Sequence, residues 1–189
     1  MATVIPFEER AVAHLRRRLG AVEEANEDLI AFARGHSGAV SSIHEAVIAA
    51  IDAESIEALF HVVTQEWPLI LGIDAVALSL IVADQGFRAD GGGVQQVDPA
   101  LLRREIGRVN AVQMRTVKRG HPLFGPACDL IRAQALIRID CEPPLPLGLL
   151  ALGQRAELNL DARHGSELLM FLGKSLAAMI RKWLTIPQV

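Results

Sequence analysis

The chain has 189 residues, a length that suits one domain of ordinary size or a small domain with an appended helix. Its hydrophobic content of 51% suffices for a buried core, whereas an aromatic content of 4% without any tyrosine argues against a stacking surface for single-stranded nucleic acid. The net charge is only −3, and the sequence contains no apolar run of the roughly 18 to 20 residues that a bilayer-spanning helix requires, so no membrane association is expected.

Residues 8–34 carry apolar side chains at alternating steps of three and four, which is the spacing of the seam of a coiled coil. The seam residues expected to mediate dimerisation are Val12, Leu15, Leu19, Val22, Asn26 and Leu29. Asn26 is the polar member of the seam, and a buried Asn at such a position fixes register and strand number at some cost in stability. The pattern therefore predicts a homodimer that pairs through its N-terminal helices, in parallel or antiparallel orientation. The alternative is an amphipathic helix that folds back on its own domain.

A break or a loosened turn of the helix is predicted between Gly35 and Gly38. We therefore divide the chain into a dimerisation helix over residues 1–36 and a second domain over residues 37–189. Ser42 opens a capping-box pattern, in which its side chain and that of the residue three positions later bond to free backbone N–H groups. This pattern predicts that the first helix of the second domain begins there.

Three more helices are predicted in the second domain. The first begins at Ser55, bends or ends near Pro68 because proline lacks a backbone N–H, and stops at Gly72. The second begins at Asp98, a favourable N-cap residue in front of a proline in the first helical turn. The last covers residues 166–184, where apolar side chains recur at helical spacing.

Strands are predicted where the apolar pattern loses its helical period. The predicted strands are 75–83, a short strand around Phe87 and Arg88, 112–117, 134–140 and 147–152. Strands that follow one another in sequence, with helices at both ends of the chain, favour an α+β fold with a central antiparallel sheet.

Four segments resemble, in the expected order, those of an uncharacterised proteobacterial family, domain of unknown function 484. The segments are residues 26–34, 72–80, 146–153 and 165–183. The resemblance implies a GAF-like domain: a central antiparallel sheet flanked by helices, with a cavity on the face opposite the helices packed on it, and an N-terminal coiled-coil helix. It also implies a genomic neighbourhood with a site-specific recombinase, but no established biochemical activity.

Positive charge is concentrated in residues 100–140, which hold 8 basic and 3 acidic side chains, a balance of +5. The candidates for anion binding in this stretch are Arg103, Arg104, Arg108, Arg115, Lys118 and Arg119. In a GAF-like fold this segment contributes to the cavity wall, where arginine N–H groups can hold a carboxylate or a phosphate. The residues expected to bind a small anionic ligand are Arg104, Arg108, Arg115 and Arg119. The alternative is a helix with a solvated basic face.

The other candidates for chemistry give weaker patterns. Cys128 and Cys141 do not make a disulfide framework, which fits a reduced, cytoplasmic protein, and they would serve a thiol-based methionine sulfoxide reductase only if loops brought them together. The six histidines lack zinc-site spacing, and His121 is interpreted as a loop residue. The segment 91–93 is a glycine turn without a phosphate-loop pattern. Neither a metal nor a cofactor is predicted.

The leading functional prediction is a non-enzymatic, cytoplasmic and homodimeric GAF-like module for signalling, with a small molecule bound in the sheet cavity. One alternative is a dimeric scaffold, linked to site-specific recombination, whose protein partner docks on the paired helices. Another is the methionine sulfoxide reductase. No direct nucleic-acid contact is expected, because the sequence has no helix-turn-helix pattern and the arginines at 16–18 lie in an otherwise acidic helix.

Overall fold

The computed structural model describes residues 37–141, 147–156 and 162–185, together with positions 18, 20, 23 and 35. The chain divides into two compact units, Met1–Ser41 and Ser42–Val189. The described positions of the first unit are helical. The predicted seam residues Val12, Leu15, Leu19, Val22, Asn26 and Leu29 lie outside the described residues. The coiled coil, the pairing of two copies and the domain division at residue 36 therefore stay predictions.

The second unit is built on a six-stranded sheet with the strand order β3-β2-β1-β6-β5-β4. Its strands are β1 (Ala75–Val82), β2 (Gln85–Asp90), β3 (Gly93–Val97), β4 (Val112–Thr116), β5 (Ala133–Asp140) and β6 (Leu147–Gln154). All five neighbouring pairs are antiparallel. The central strands β1 and β6 are nearly continuous apolar runs because both of their faces are covered. The predicted α+β fold with an antiparallel sheet is confirmed.

Helices cover both faces of this sheet. They are α1 (residues 37–51), α2 (Ile56–His61), a π-helical turn (Val62–Glu66), α3 (Trp67–Leu71), α4 (Pro99–Gly107), a 3-10 helix (Pro122–Asp129) and α5 (Ala162–Thr185). The predicted caps of α2 and α4 are present, since Ser55 Oγ accepts a hydrogen bond from Ala58 N at 3.0 Å and Asp98 Oδ1 accepts one from Ala100 N at 2.8 Å.

Each face of the sheet packs against a separate hydrophobic core. Along β1, Val76, Leu78 and Leu80 belong to the larger core, whereas Ala77 and Ile81 belong to the smaller one, as the alternation of side chains along a strand requires. The larger core includes buried residues of α1, α2 and α5, and the smaller one includes residues of α4 and the 3-10 helix. The sheet thus carries α1, α2 and α5 on one face, and α4 and the 3-10 helix on the other.

The predicted helix boundaries are wrong at the start of α1. Gly38 and Ser42 lie inside this helix, which is already regular at residue 37, so neither the break at Gly38 nor the start at Ser42 is present. A single glycine costs a helix only about 1 kcal/mol relative to alanine. Burial of Ile43 and Val47, which belong to the larger core, offsets a cost of that size.

The helical region around Pro68 is disturbed as predicted, but it does not end there. The π-helical turn comes directly before α3, and Pro68 lies in the first turn of α3, where a missing N–H group costs little. Gly72 ends α3 with φ 64°, the left-handed conformation that glycine adopts without strain, so the predicted stop is confirmed.

Two elements have no counterpart among the predicted ones. Strand β3 is exposed along most of its length, so it lacks the apolar alternation by which strands are recognised. The 3-10 helix contains Gly125 and Pro126, a pair typical of turns, and Gly125 interrupts it with φ 57°. Strand β3 is held by its pairing with β2, and the 3-10 helix by packing of its residues in the smaller core, so neither has a local sequence pattern that predicts it.

Candidate functional site

A cleft of about 420 Å³ opens on the face of the sheet that carries the smaller core. Helix α4, strand β4 and the loop from β4 into the 3-10 helix line it. Its charged and polar side chains are Arg104, Glu105, Arg108, Arg115, Arg119 and His121. Its apolar side chains are Leu101, Leu102, Pro122 and Leu123. We call it the arginine cleft.

Helix α4 packs against the sheet and also lines the arginine cleft, and Leu102 takes part in both. Leu102 and Ile106 lie one turn apart and are 1% and 0% exposed in the smaller core. Arg104 and Arg108 also lie one turn apart, and both line the cleft together with Glu105. The amphipathic pattern that buries one face of α4 therefore also places Arg104 and Arg108 at the cleft, where their side chains are 62% and 63% exposed.

The Glu105 carboxylate connects three of the cleft residues. It accepts hydrogen bonds from Arg108 Nη1 at 2.7 Å and Arg104 Nε at 3.3 Å, and it lies 3.1 Å from His121 Nε2. Burial raises the pKa of Glu105, but the hydrogen bonds from His121 and Arg108 outweigh this effect, so the pKa is lowered. The carboxylate is therefore ionised at neutral pH and neutralises one positive charge of the cleft.

His121 is buried and oriented at both ring nitrogens, whereas the sequence pattern led us to expect an ordinary loop residue. The Leu123 N–H group donates to Nδ1 at 3.3 Å, so Nδ1 carries no proton and Nε2 donates to Glu105. Burial lowers the pKa of His121, and Arg115 and Arg108 lower it further against the opposing effect of Glu105. The imidazole is therefore neutral, and it caps the 3-10 helix.

Gln134, a residue of strand β5, places a buried side-chain amide next to His121. Gln134 is 2% exposed, and its Oε1 accepts a hydrogen bond from His121 N at 2.8 Å. Its Nε2 has no hydrogen-bond partner among the described residues. Gln134 pairs with Arg115 in the register of β4 and β5. The exposed side chain of Arg115 forms neither a hydrogen bond nor an ion pair within the described part of the chain.

Arg119 lies in the loop between β4 and the 3-10 helix, and it contacts the last residues of that helix. Its Nε is 2.6 Å from Asp129 Oδ1, and its Nη2 is 3.6 Å from Cys128 Sγ. The next residue is Gly120, whose N–H donates to the Cys128 carbonyl at 2.8 Å. A Cβ atom at Gly120 would lie 2.6 Å from Ile131 Cβ, so the close approach that fixes this loop requires glycine.

The structure brings together the four arginines that the sequence pointed to. Arg104, Arg108, Arg115 and Arg119 all line the arginine cleft, although they come from three separate segments. Arg103 lies outside the cleft and pairs with Asp84 at the surface. That the four arginines bind an anion stays a prediction.

Two residues of the cleft were missed by the sequence reasoning. Glu105 stands between two arginines one turn apart, which is a pattern of local ion pairing that the sequence already contains. His121 precedes Pro122 as Asp98 precedes Pro99, and in both cases the first residue caps the following helix. The contact between Glu105 and His121 joins residues 16 apart in sequence, and no local pattern predicts it.

The two cysteines lie on opposite faces of the sheet. Cys128 is part of the smaller core, whereas Cys141 packs against the larger core and lines a second cleft of about 340 Å³ beside α5. Burial raises the pKa of the Cys141 thiol, which lowers the fraction of reactive thiolate. The fold therefore does not bring the two thiols together.

Other site types find no support in the described residues. Within residues 37–141, 147–156 and 162–185, no three His, Cys, Asp or Glu side chains are grouped to hold a metal ion. No helix in these ranges has the length and apolar character that crossing a membrane demands. The segment 91–93 forms the turn of the β2–β3 hairpin, in which Asp90 Oδ1 accepts a hydrogen bond from Gly92 N at 2.8 Å.

The sequence and the fold were compared with known proteins. The model of the family described as "Protein of unknown function, DUF484" matches residues 1–185. No curated protein matches the sequence.

Among solved structures, the free methionine-R-sulfoxide reductase from Neisseria meningitidis, in complex with its substrate, is 14% identical with a TM-score of 0.56 and is matched over 75% of this chain and 87% of that one. A mutant chromophore-binding domain of a Stigmatella aurantiaca bacteriophytochrome is 16% identical with a TM-score of 0.53, over 74% of this chain and 59% of that one. A far-red absorbing protein with bound biliverdin IXa is 20% identical with a TM-score of 0.52, over 76% of this chain and 99% of that one. At these identities the likeness shows the fold alone, and the predicted GAF-like fold is confirmed.

Proposed function

The chain belongs to the DUF484 family, and from this premise and its GAF-like fold we propose that it is a regulatory module that binds a small anion in the arginine cleft. The observation that carries the proposal is the convergence of four arginines from α4, β4 and the following loop on one cleft of about 420 Å³. This volume lies within the range of small-molecule sites.

The charge balance of the cleft supports an anionic ligand. Glu105 and Asp129 each form an ion pair with the arginines, and His121 is neutral at neutral pH, so two of the four arginine charges have no counter-ion among the described residues. Guanidinium groups bind carboxylates and phosphates through paired N–H donors, and such charge-assisted hydrogen bonds are stronger than neutral ones. A bound anion would relieve the repulsion between neighbouring arginines.

Small-molecule binding also agrees with what the similar structures contain. One of them holds its substrate and another holds biliverdin, although neither ligand is inferred for this chain. A sensor role would mean that occupancy of the cleft changes a property that a partner detects. The 3-10 helix is the segment best suited to report occupancy, because His121 contacts both the cleft and the first turn of that helix.

A thermal-shift experiment with two arginine variants tests the proposal. Succinate and inorganic phosphate at millimolar concentration should raise the melting temperature of the full chain, because a ligand that binds only the folded state stabilises it. Arg108→Gln and Arg115→Gln should each weaken binding about tenfold or more, the loss expected for one charge-assisted hydrogen bond.

Arg103→Gln is the matched control for this experiment. It also removes one positive charge, and it does so on α4, next to whose end Arg108 lies, but Arg103 lies outside the cleft, so the ligand-induced shift should equal that of the original protein. The proposal fails if no anion raises the melting temperature, or if Arg108→Gln and Arg115→Gln respond as Arg103→Gln does.

The module is proposed to lack enzymatic activity of its own. A two-thiol sulfoxide reduction needs a second thiol that reaches the first, and Cys128 and Cys141 lie on opposite faces of the sheet. The reductase alternative is therefore the weaker one.

We also propose that the protein is a cytoplasmic homodimer. The support comes from the seam pattern over residues 8–34, which suits pairing of two N-terminal helices. A dimer would give a regulatory module a route for passing ligand occupancy from one subunit to the other. A protein partner on the paired helices stays a prediction, and sedimentation of the full chain tests the subunit number.

A further inference from the structure

The second cleft follows one side of helix α5, which packs on the face of the sheet opposite to the arginine cleft. Its volume of about 340 Å³ lies within the range of small-molecule sites. It extends from Met170 to Arg181, about 16 Å along the helix axis. The α5 residues that line it recur at helical spacing and are Met170, Gly173, Lys174, Ala177, Ala178 and Arg181. The second cleft is therefore elongated in the direction of α5.

Much of the lining of the second cleft is hydrocarbon. Its apolar side chains are those of Ala111, Ile137, Met170, Ala177 and Ala178. Helix α5 approaches β5 closely at Gly173, where a Cβ atom would lie 2.5 Å from Ile137 Cγ2. Met170 is exposed, so part of this apolar surface meets water. A ligand with a hydrocarbon chain would remove that surface from water, which is favourable.

The charged residues of the second cleft leave an excess of positive charge. Arg138 and Asp140 both line the cleft and pair with each other at 2.7 Å, so their charges cancel. Lys174 and Arg181 lie two helical turns apart on the same side of α5. Lys174 is exposed and forms neither a hydrogen bond nor an ion pair within the described part of the chain. The cleft thus combines an apolar lining with a cation that can meet an anionic group.

We propose that the second cleft binds an amphiphilic carboxylate, a molecule with one flexible hydrocarbon chain that ends in a carboxylate group. The chain lies along α5 against the apolar side chains, and the carboxylate meets Lys174. A lysine ammonium attracts an anion as a point charge on a flexible stem, so it requires no fixed orientation of the carboxylate. Succinate lacks such a chain and is not expected to bind here, so this site is separate from the arginine cleft.

Cys141 offers a reporter of occupancy. It lines the second cleft, and its Sγ donates a hydrogen bond to the Ala177 carbonyl on α5 at 3.5 Å. A hydrocarbon chain along α5 covers this thiol and should slow its alkylation by iodoacetamide. Cys128 lies in the smaller core on the opposite face of the sheet, so its alkylation rate should not change. Mass spectrometry of the peptides that contain the two cysteines measures both rates.

The test compares octanoate with butyrate and with octylamine, using titration calorimetry and Cys141 alkylation of the full chain at neutral pH. Octanoate should bind about tenfold or more tightly than butyrate, because its longer chain buries more hydrocarbon in the cleft. It should bind about threefold or more tightly than octylamine, which has the same chain length but a positive charge that Lys174 repels.

Two variants locate the ligand in the second cleft. Lys174→Gln should weaken octanoate binding about threefold, the effect of one exposed ion pair. Lys182→Gln is the matched control, since it removes the same charge from the same helix outside the cleft and should leave the affinity unchanged. Ala178→Leu fills the cleft and should weaken binding about tenfold or more. Leucine forms helices nearly as well as alanine, so α5 should stay folded.

The outcomes are distinct from those that decide the proposed function. Protection of Cys141 by octanoate that is lost in Ala178→Leu and kept in Lys182→Gln supports the inference. Octanoate that binds no more tightly than butyrate or octylamine, or that leaves the alkylation rate of Cys141 unchanged, overturns it. Octanoate binding that is lost in Arg108→Gln would lie in the arginine cleft and would overturn it as well. The succinate experiment decides the proposed function independently of these results.

Discussion

The protonation of His121 is coupled to the folded structure. Its Nδ1 accepts from Leu123 N and its Nε2 donates to Glu105, so adding a proton to Nδ1 would break the cap of the 3-10 helix. Burial lowers the pKa of His121 below the value of about 6.5 that it has in an unfolded chain. Below about pH 6.5 the unfolded chain therefore binds a proton that the folded protein does not, and stability falls as the pH drops through this window.

Replacing His121 should flatten this pH dependence. His121→Gln is expected to lower the melting temperature at about pH 7, because the contacts to Glu105 and Leu123 change, yet to lose less stability than the original protein between about pH 7 and pH 5. Calorimetry at both pH values measures the difference. His61→Gln, on the exposed side of α2, is the control and should keep the original slope. A slope in His121→Gln as steep as in the original protein would contradict the account.

At the scale of elements, β6 shows how tightly the sheet is packed at its centre. A Cβ atom at Gly148 would lie 2.7 Å from the Ser79 carbonyl oxygen and 2.6 Å from Leu80 Cδ2 on the neighbouring strand β1. Backbone cannot yield to such a contact as a flexible side chain can. Gly148→Ala is therefore expected to destabilise the protein by about 1–3 kcal/mol, the usual cost of overpacking a core.

Gly107 offers the matched comparison at the last residue of α4. A Cβ atom there meets nothing within 4 Å, so Gly107→Ala should leave stability unchanged or raise it by up to about 1 kcal/mol. Equilibrium unfolding in urea measures both variants against the original protein. Equal effects of the two substitutions would mean that close approach between β1 and β6 does not limit the choice of residue at Gly148.

Elements with a strong local signal were predictable and the others were not. The strand at 75–83 was found because it is apolar on both faces, and α4 because Asp98 and Pro99 mark its start. Strand β3 was missed because it is an exposed strand that is held in place by pairing with β2. The start of α1 was misplaced because the helix is stabilised by burial of Ile43, which depends on the rest of the fold. A local sequence pattern thus predicts a helix or strand when the residues of that segment are sufficient to determine its conformation.

The same limit holds for the candidate site at the scale of the whole molecule. The excess of positive charge in residues 100–140 identified the arginines, and only the resemblance to a GAF-like fold suggested that they line one cavity. That arrangement depends on the sheet, which places β4 beside β5 at one edge, and on Gly120, which holds the loop against Ile131. Glu105 and His121 acquire their roles only through this folding.

The whole-molecule claim is that one cleft, on the α4 face of the sheet, binds a small anion. Nuclear magnetic resonance of the ¹⁵N-labelled full chain during titration with succinate tests it most directly, because backbone amide shifts locate the bound ligand. The account predicts that the largest shifts fall in residues 101–108 and 115–123, which line the arginine cleft. Shifts centred on the second cleft beside Cys141, or no localised shift at saturating succinate, would contradict it.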